Sequence, residues 1–209
     1  MAVEWHSQMG QDKDAWDYNN QRQNGFFVEV GAWDGIKFSN TFTLEHHHGW
    51  NGILIEPMAE YFTQLVQNRP TAQCSESLLW SESGVIKEFL VSSNCDPNDT
   101  TISMLSGIVD TLDRQRHSKW EHRLLKTKTL TEELDYWEAP YNIDYLSLDT
   151  EGSELEILKG LDFGRYRPNF ISVEHNHKAG PRKAIGDYLT AKGYRFLRDN
   201  HCDDYYGLV

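Results

Sequence analysis

Apolar runs rich in β-branched and aromatic residues alternate along the chain with longer stretches of helical periodicity. "GFFVEV" (25–30) predicts a buried strand, "SNTFTLEHHHGW" (39–50) a helix ending at Gly49, and "NGILIEP" (51–57) a second strand stopped by Pro57. "MAEYFTQLVQN" (58–68) reads as a helix, "AQCSESLLW" (72–80) as a third strand with its exit loop, and "GVIKEFLV" (84–91) as a strand or hairpin arm. An irregular polar section follows. Periodicity returns with "IDYLSLD" (143–149), a strand leading through Gly152 into a helix over 153–161, with Ser153 as N-cap and Glu156 completing a capping box. "NFISVEHN" (169–176) predicts another strand and "PRKAIGDYLTAKG" (181–193) a helix closed by Gly193. "YRFLRD" and "DYYGLV" pair as a terminal hairpin. The alternation is that of an α/β fold: six to eight strands in one mostly parallel sheet, with functional loops at the strands' C-terminal ends.

Composition narrows the class without changing this picture. The 209 residues suffice for a single domain spanning 1–209, and 39% hydrophobic content fits a globular chain. A formal charge of −12 argues against nucleic acid as a partner and favours a small or neutral one. Cys74, Cys95 and Cys202 form no CxxC pair and leave one thiol unmatched, so reduced thiols in a cytoplasmic setting are expected. No stretch approaches the roughly 18 apolar residues that span a membrane, and residues 1–25 are polar rather than signal-like.

The chemistry gathers at the predicted strand ends, where Glu29, Glu56, Asp149 and Glu174 place four acids along one crevice. The turn "GAWDG" (31–35) resembles a dinucleotide-binding corner but lacks its middle glycine, and Glu29 and Asp34 would repel a pyrophosphate. A ligand with an ammonium and a sulfonium would be attracted instead, and S-adenosylmethionine carries both. Gly31 and Ala32 allow close backbone approach, and Glu56 is placed for hydrogen bonds to a ribose diol.

"FVEVGAWDGIKFSNTFTLE", "GWNGILIEP", "DYLSLDTEGSELEILKGLDF" and "ISVEHN", in this order over about residues 24–177, resemble the FkbM family of S-adenosylmethionine-dependent methyltransferases. "SQMGQD" (7–12) is similar to an opening found in some members. The resemblance implies a Rossmann-like class I methyltransferase fold, with a seven-stranded, mostly parallel sheet, helices on both faces and a C-terminal antiparallel hairpin. It also implies methyl transfer to a hydroxyl, often of a sugar or natural product, so a small-molecule or glycan acceptor is expected. By the same resemblance Glu29, Gly31 and Ala32 belong to the cofactor loop, Ser39 and Asn40 lie near the methionine end, Glu56 takes the ribose, and Ser77 and Leu78 flank adenine. Helix capping is the competing explanation for Ser39 and Asn40, and an ordinary loop serine that for Ser77.

Two routes to activating the acceptor hydroxyl remain open. In one, Asp149, Glu174 and His175 converge on a divalent cation, Mg²⁺, Mn²⁺ or Ca²⁺, as in the similar cation-dependent catechol-type enzymes. In the other, His175 is a general base oriented by Asp149 or Glu174. Glu151 and Glu154 read as helix N-terminal acids rather than as catalytic groups. A non-catalytic cofactor-binding module of a larger enzyme, and more remotely a nicotinamide-dependent oxidoreductase, are the rival functions.

Other conspicuous features have plainer readings. The contiguous "HHH" (46–48) does not give the i, i+4 face of a helical metal site and reads as surface or helix-end histidines. The basic segment 113–128 reads as a solvated helix face within an acceptor-shaping insertion over 92–128. Trp33 is marked only by its place in the cofactor loop. Residues 1–24, too polar for core, are expected to fold over the cofactor as a lid.

Overall fold

The protein is described by a computed structural model covering residues 3–92, 106–112 and 120–209. Strands β1 (Phe26–Val30), β2 (Asn51–Ile55), β3 (Gln73–Ser75), β8 (Asn142–Leu148), β9 (Arg167–Glu174), β10 (Tyr194–Asn200) and β11 (Asp203–Leu208) form one sheet in the order β10-β11-β9-β8-β1-β2-β3. The first five in chain order run parallel and the last two form an antiparallel hairpin against β9. This is the mixed α/β arrangement expected from the alternating pattern.

The parallel strands are buried on both faces, so their sequences are nearly continuous in apolar residues. Along β1 and β8, Val28, Val30, Leu146 and Leu148 pack with α4 (Leu130–Tyr136), α5 (Glu154–Lys159) and α6 (Ala179–Ala191). On the opposite face Phe27, Leu54, Tyr145 and Phe170 pack with α1 (Gln11–Tyr18), α2 (Phe42–His48) and α3 (Ala59–Asn68). Residues 1–24 are therefore not simply too polar for core, because Ala15 is fully buried on this second face and Tyr18 packs on Phe170.

A second sheet, in the order β4-β7-β5-β6, departs from the expectation of a single one. It comprises β4 (Leu78–Leu79), β5 (Ile86–Ser92), β6 (Gly107–Ile108) and β7 (Trp120–Lys128). The reason is visible in its core: Leu78, Phe89 and Ile108 pack on Trp33 and Met58, forming an apolar cluster beside the main sheet rather than continuing it. Two further expectations need correction, and one lies outside what is described. The basic stretch from Trp120 to Lys128 is a strand, not a helix, with Arg123, Leu125 and Thr127 less exposed than their alternate neighbours. Residues 93–105, including Cys95, and 113–119 of the anticipated insertion lie outside the described residues. The Ser153 capping box does not form: Ser153 Oγ donates to Thr150 Oγ1, while Glu156 pairs with Ser81 and Lys159. A true capping box opens α4 instead, where Thr129 and Glu132 exchange side-chain and backbone hydrogen bonds.

Candidate active site

The C-terminal ends of the parallel strands surround a cavity of about 490 Å³. Four acids face it: Glu56 beyond β2, Asp149 and Glu151 beyond β8, and Glu174 at the end of β9. Among the described residues lining it there is no Lys, Arg or His. A pyrophosphate would find no countercharge there, whereas a cationic ligand would.

One wall is the turn after β1. Gly31 has φ +87°, and a β-carbon on it would lie 1.8 Å from the Asp149 carbonyl oxygen, so only glycine fits. Gly31 N and Ala32 N both donate to Ile55 O, which closes the turn onto β2. Gly31 lines the cavity, while Ala32 is buried behind it in the core. Trp33, at φ 46°, also lines the cavity and packs on Tyr61. Asp34 is turned away, its Oδ1 accepting the N–H groups of Ile36 and Lys37.

Glu56 accepts Trp33 N–H at 3.0 Å through one oxygen and Met58 N–H at 2.9 Å through the other. Burial raises its pKa to about 7, against the opposing pull of these two hydrogen bonds. A carboxylate has about four lone-pair positions, so two remain for a diol. Ser77 and Leu78, where β3 gives way to β4, complete this end of the cavity.

Glu29 requires a correction, because it does not line the crevice. It shares the face of β1 with Phe27 and points beneath the 39–41 loop, where its carboxylate accepts from Ser39 Oγ, Asn40 N and Thr41 Oγ1. Burial pushes its pKa up, and Arg69 opposes the rise. Ser39 and Asn40 are likewise absent from the cavity wall. Ser39 Oγ accepts the N–H groups of Thr41 and Phe42 in the turn that leads into α2, whose N-cap is Thr41 rather than Ser39 or Asn40, and Asn40 Nδ2 donates to Ser147 Oγ. These three residues support the loop rather than touch the cavity.

At the other end Asp149, Glu151 and Glu174 present carboxylate oxygens within 4.8 Å of one another. Asp149 opens to the cavity but is otherwise walled by protein. Its pKa is pushed well up by desolvation first, then by Glu151 and Asp203. Glu174 is raised by desolvation, then by Asp149 and Glu151. With their carboxylates this close, Asp149 and Glu174 each oppose the ionisation of the other. Asn176 Nδ2 donates to both Glu174 and Glu151. Glu154, the other acid set aside as a helix-end residue, is one: its buried carboxylate accepts from Thr150 N and Gly152 N and shapes the turn.

His175 does not join this cluster. Its Nδ1 accepts His177 N–H, and its Nε2 points toward Asp204 Oδ1 at 3.5 Å, on the side away from the cavity. His175 is absent from the cavity wall and its Nδ1 is taken by His177 N–H, so the fold brings it to neither role read for it from the sequence, metal ligand or general base. Glu151 takes the place that sequence reasoning gave to His175. The available signal was the sequence "DTEG": Glu151 at φ 59° and Gly152 at φ 119° form a tight turn that brings the acid back over Asp149. The histidines at 46–48 end α2 as expected, though His48 is buried against Trp16.

The Methyltransferase FkbM domain matches residues 29–196. The chain belongs to the FkbM methyltransferase family. Its cofactor is accordingly S-adenosylmethionine, and the cavity fits it: a glycine cradle that any side chain would fill, a buried acid, Glu56, with free lone pairs, and no basic group among the described lining residues. No curated protein matches the sequence significantly. Among solved structures, the FkbM chain is similar to a METTL16 methyltransferase domain at 11% identity, covering 95% of this chain and 64% of that one, with a TM-score of 0.50. Precorrin-6y C5,15-methyltransferase from Geobacter metallireducens GS-15 aligns at 11% identity over 93% of this chain and 84% of that one, TM-score 0.49. Human methyltransferase 10 domain containing protein aligns at 12% identity over 93% and 77%, TM-score 0.48. At these identities the likeness concerns the fold alone.

Proposed function

We propose that this FkbM methyltransferase transfers a methyl group to a hydroxyl oxygen of a sugar or other small polyol, at the end of the cavity formed by Asp149, Glu151 and Glu174. The observation that carries the reading is the meeting of these three carboxylates on the same cavity as Glu56. When bound, S-adenosylmethionine supplies the methyl on its sulfonium. Glu56 and the Gly31 turn hold the nucleoside, and the acid cluster addresses the acceptor. An alcohol is a weak nucleophile, and in-line displacement needs both its alignment and removal of its proton. Asp149, raised in pKa and open to the cavity, is the group placed to receive that proton.

The same three acids would hold a divalent cation. An all-carboxylate set suits Mg²⁺ or Ca²⁺, and Mn²⁺ loses the imidazole ligand expected for it. Such an ion would lower the pKa of the acceptor hydroxyl. Residues 3–24 would close one side: Gln8 lines the cavity, Ser7 pairs with Phe38, and Gln11 Nε2 donates to Asp203.

The test is methyl transfer from S-adenosylmethionine to a panel of sugars and polyols, with Mg²⁺ and with chelator, for the native protein and Asp149→Asn. The reading requires transfer to a hydroxyl, lost by about 10²–10⁴-fold in Asp149→Asn, with adenosylhomocysteine binding retained. Transfer to amines alone would sink the O-methyl assignment. Chelator-insensitive turnover would remove the metal. Cofactor binding without turnover on any acceptor would favour a non-catalytic module.

A further inference from the structure

A chain of polar contacts leads out of the cavity behind Ser77. Ser77 Oγ donates to Glu133 Oε1 at 2.5 Å and accepts from Ser75 Oγ at 3.0 Å. Lys128 Nζ donates to the same Glu133 oxygen at 2.7 Å. The partners come from three elements. Ser75 ends β3, Lys128 ends β7 and is brought alongside by its pairing with Leu79, and Glu133 is a residue of α4. Glu133 is 1% exposed, and its other oxygen has no partner among the described residues. Burial opposes its ionisation, yet the Lys128 ammonium and the Ser77 and Ser75 hydroxyls outweigh it and hold its carboxyl below the usual range. A buried, half-satisfied carboxylate is a costly way to fill space, so its contact with Ser77 calls for a reason.

An ionised carboxylate accepts hydrogen bonds and never donates. The single hydroxyl proton of Ser77 is therefore committed to Glu133, one lone pair is taken by Ser75, and what Ser77 offers the cavity is its remaining lone pair. A serine is ordinarily indifferent between donor and acceptor partners, and this one is not. We propose that Glu133 is a positioning residue that makes Ser77 an obligate acceptor, so that the pocket selects a purine presenting an amino donor over one presenting an oxo acceptor. The inference rests on the placement of adenine beside Ser77. Lys128 acts one step further out, by keeping Glu133 charged.

The experiment is calorimetric titration of S-adenosylhomocysteine and S-inosylhomocysteine, which differ in that amino or oxo group, into the native protein, Glu133→Gln, Ser77→Ala and Lys128→Met. The native protein should prefer the adenosyl ligand by about tenfold or more, the scale of one hydrogen bond against one unpaired group. Glu133→Gln keeps the shape but its amide can donate to Ser77 and free the serine proton. The preference should then fall toward unity through a gain in affinity for the inosyl ligand. A merely structural role would weaken both ligands alike and leave the ratio unchanged, which would overturn the proposal. Lys128→Met, a half-exposed change, guards against a folding defect in the buried variant. It should make the preference decline as pH falls, because Glu133 then takes up a proton more readily, and a preference independent of pH there would also overturn the proposal. Ser77→Ala separates the two levels. If it abolishes the preference while Glu133→Gln does not, the relay is wrong and the adenine placement stands; if it changes neither affinity, the adenine placement itself fails.

Discussion

If Glu56 takes the cofactor's ribose as proposed, acidity and cofactor binding are coupled at this residue. Its pKa of about 7 lies above the ordinary carboxylate value of 4.5 because it is buried, even though two backbone N–H groups favour the charged form. Between those values the folded protein retains a proton that the unfolded chain releases. The contribution of Glu56 to the stability of the ligand-free protein should thus fall as pH rises from about 4.5 to about 7 and stay constant above that, visible as the difference between the native protein and Glu56→Gln. A ribose diol donates to the ionised form, so adenosylhomocysteine affinity should rise from pH 6 to 8, with the midpoint near the Glu56 pKa. Calorimetry across that range checks it. Glu56→Gln should remove the pH dependence and weaken binding by about 10–100-fold, since its amide also leaves Trp33 or Met58 N–H without an acceptor. A persistent slope in that variant would assign the proton elsewhere, to Asp203 first, whose pKa burial raises to about 6.

At the scale of elements, α4 shows what a local signal is worth. Its capping box, Thr129 with Glu132, secures the helix that carries Glu133. Thr129→Ala should cost about 1 kcal/mol and lower Tm by about 2–4 °C for a domain of this size, measured by thermal unfolding. The box is written in the sequence as "TLTE" (129–132), and Leu130, Leu134 and Trp137 follow the i, i+4, i+7 spacing of a buried helix face. β7 was illegible because it lacks such a pattern. Its inward positions include Arg123 and Thr127, and Arg123 is held by Glu60 and Glu121, so alternation in burial is not alternation in hydropathy. The parallel strands, by contrast, were readable because burial on both faces leaves them continuously apolar. Within the site, Glu56, Asp149 and Glu174 follow from their places at strand ends. Glu29 and His175 do not, because one residue of register decides whether a side chain meets the cavity or the layer beneath it.

Across the whole molecule, the first two dozen residues join regions that are far apart in the chain. Asn200 donates to Met9 O, Arg198 pairs with Asp14, and Asp12 is wholly buried, taking Ser7 Oγ at 2.5 Å and His6 N at 2.9 Å. Removing residues 1–20 should lower Tm, because Ala15 and Tyr18 leave the core, and should weaken adenosylhomocysteine binding. Gln8→Ala, which spares that core, isolates the cavity contribution, and an unchanged dissociation constant there would exclude the segment from the cofactor site. Among the described residues no helix is long and apolar enough to cross a membrane.

The crossing of Gly31 over the Asp149 carbonyl ties two chemical tasks into one piece of backbone. With Asp149 N–H bonded to Val30 O and no room left for a β-carbon on Gly31, the two strand ends move as one body. On the proposed reading, donor and acceptor sites therefore share a rigid seam, and the accessory sheet is the part of the wall that lies outside it.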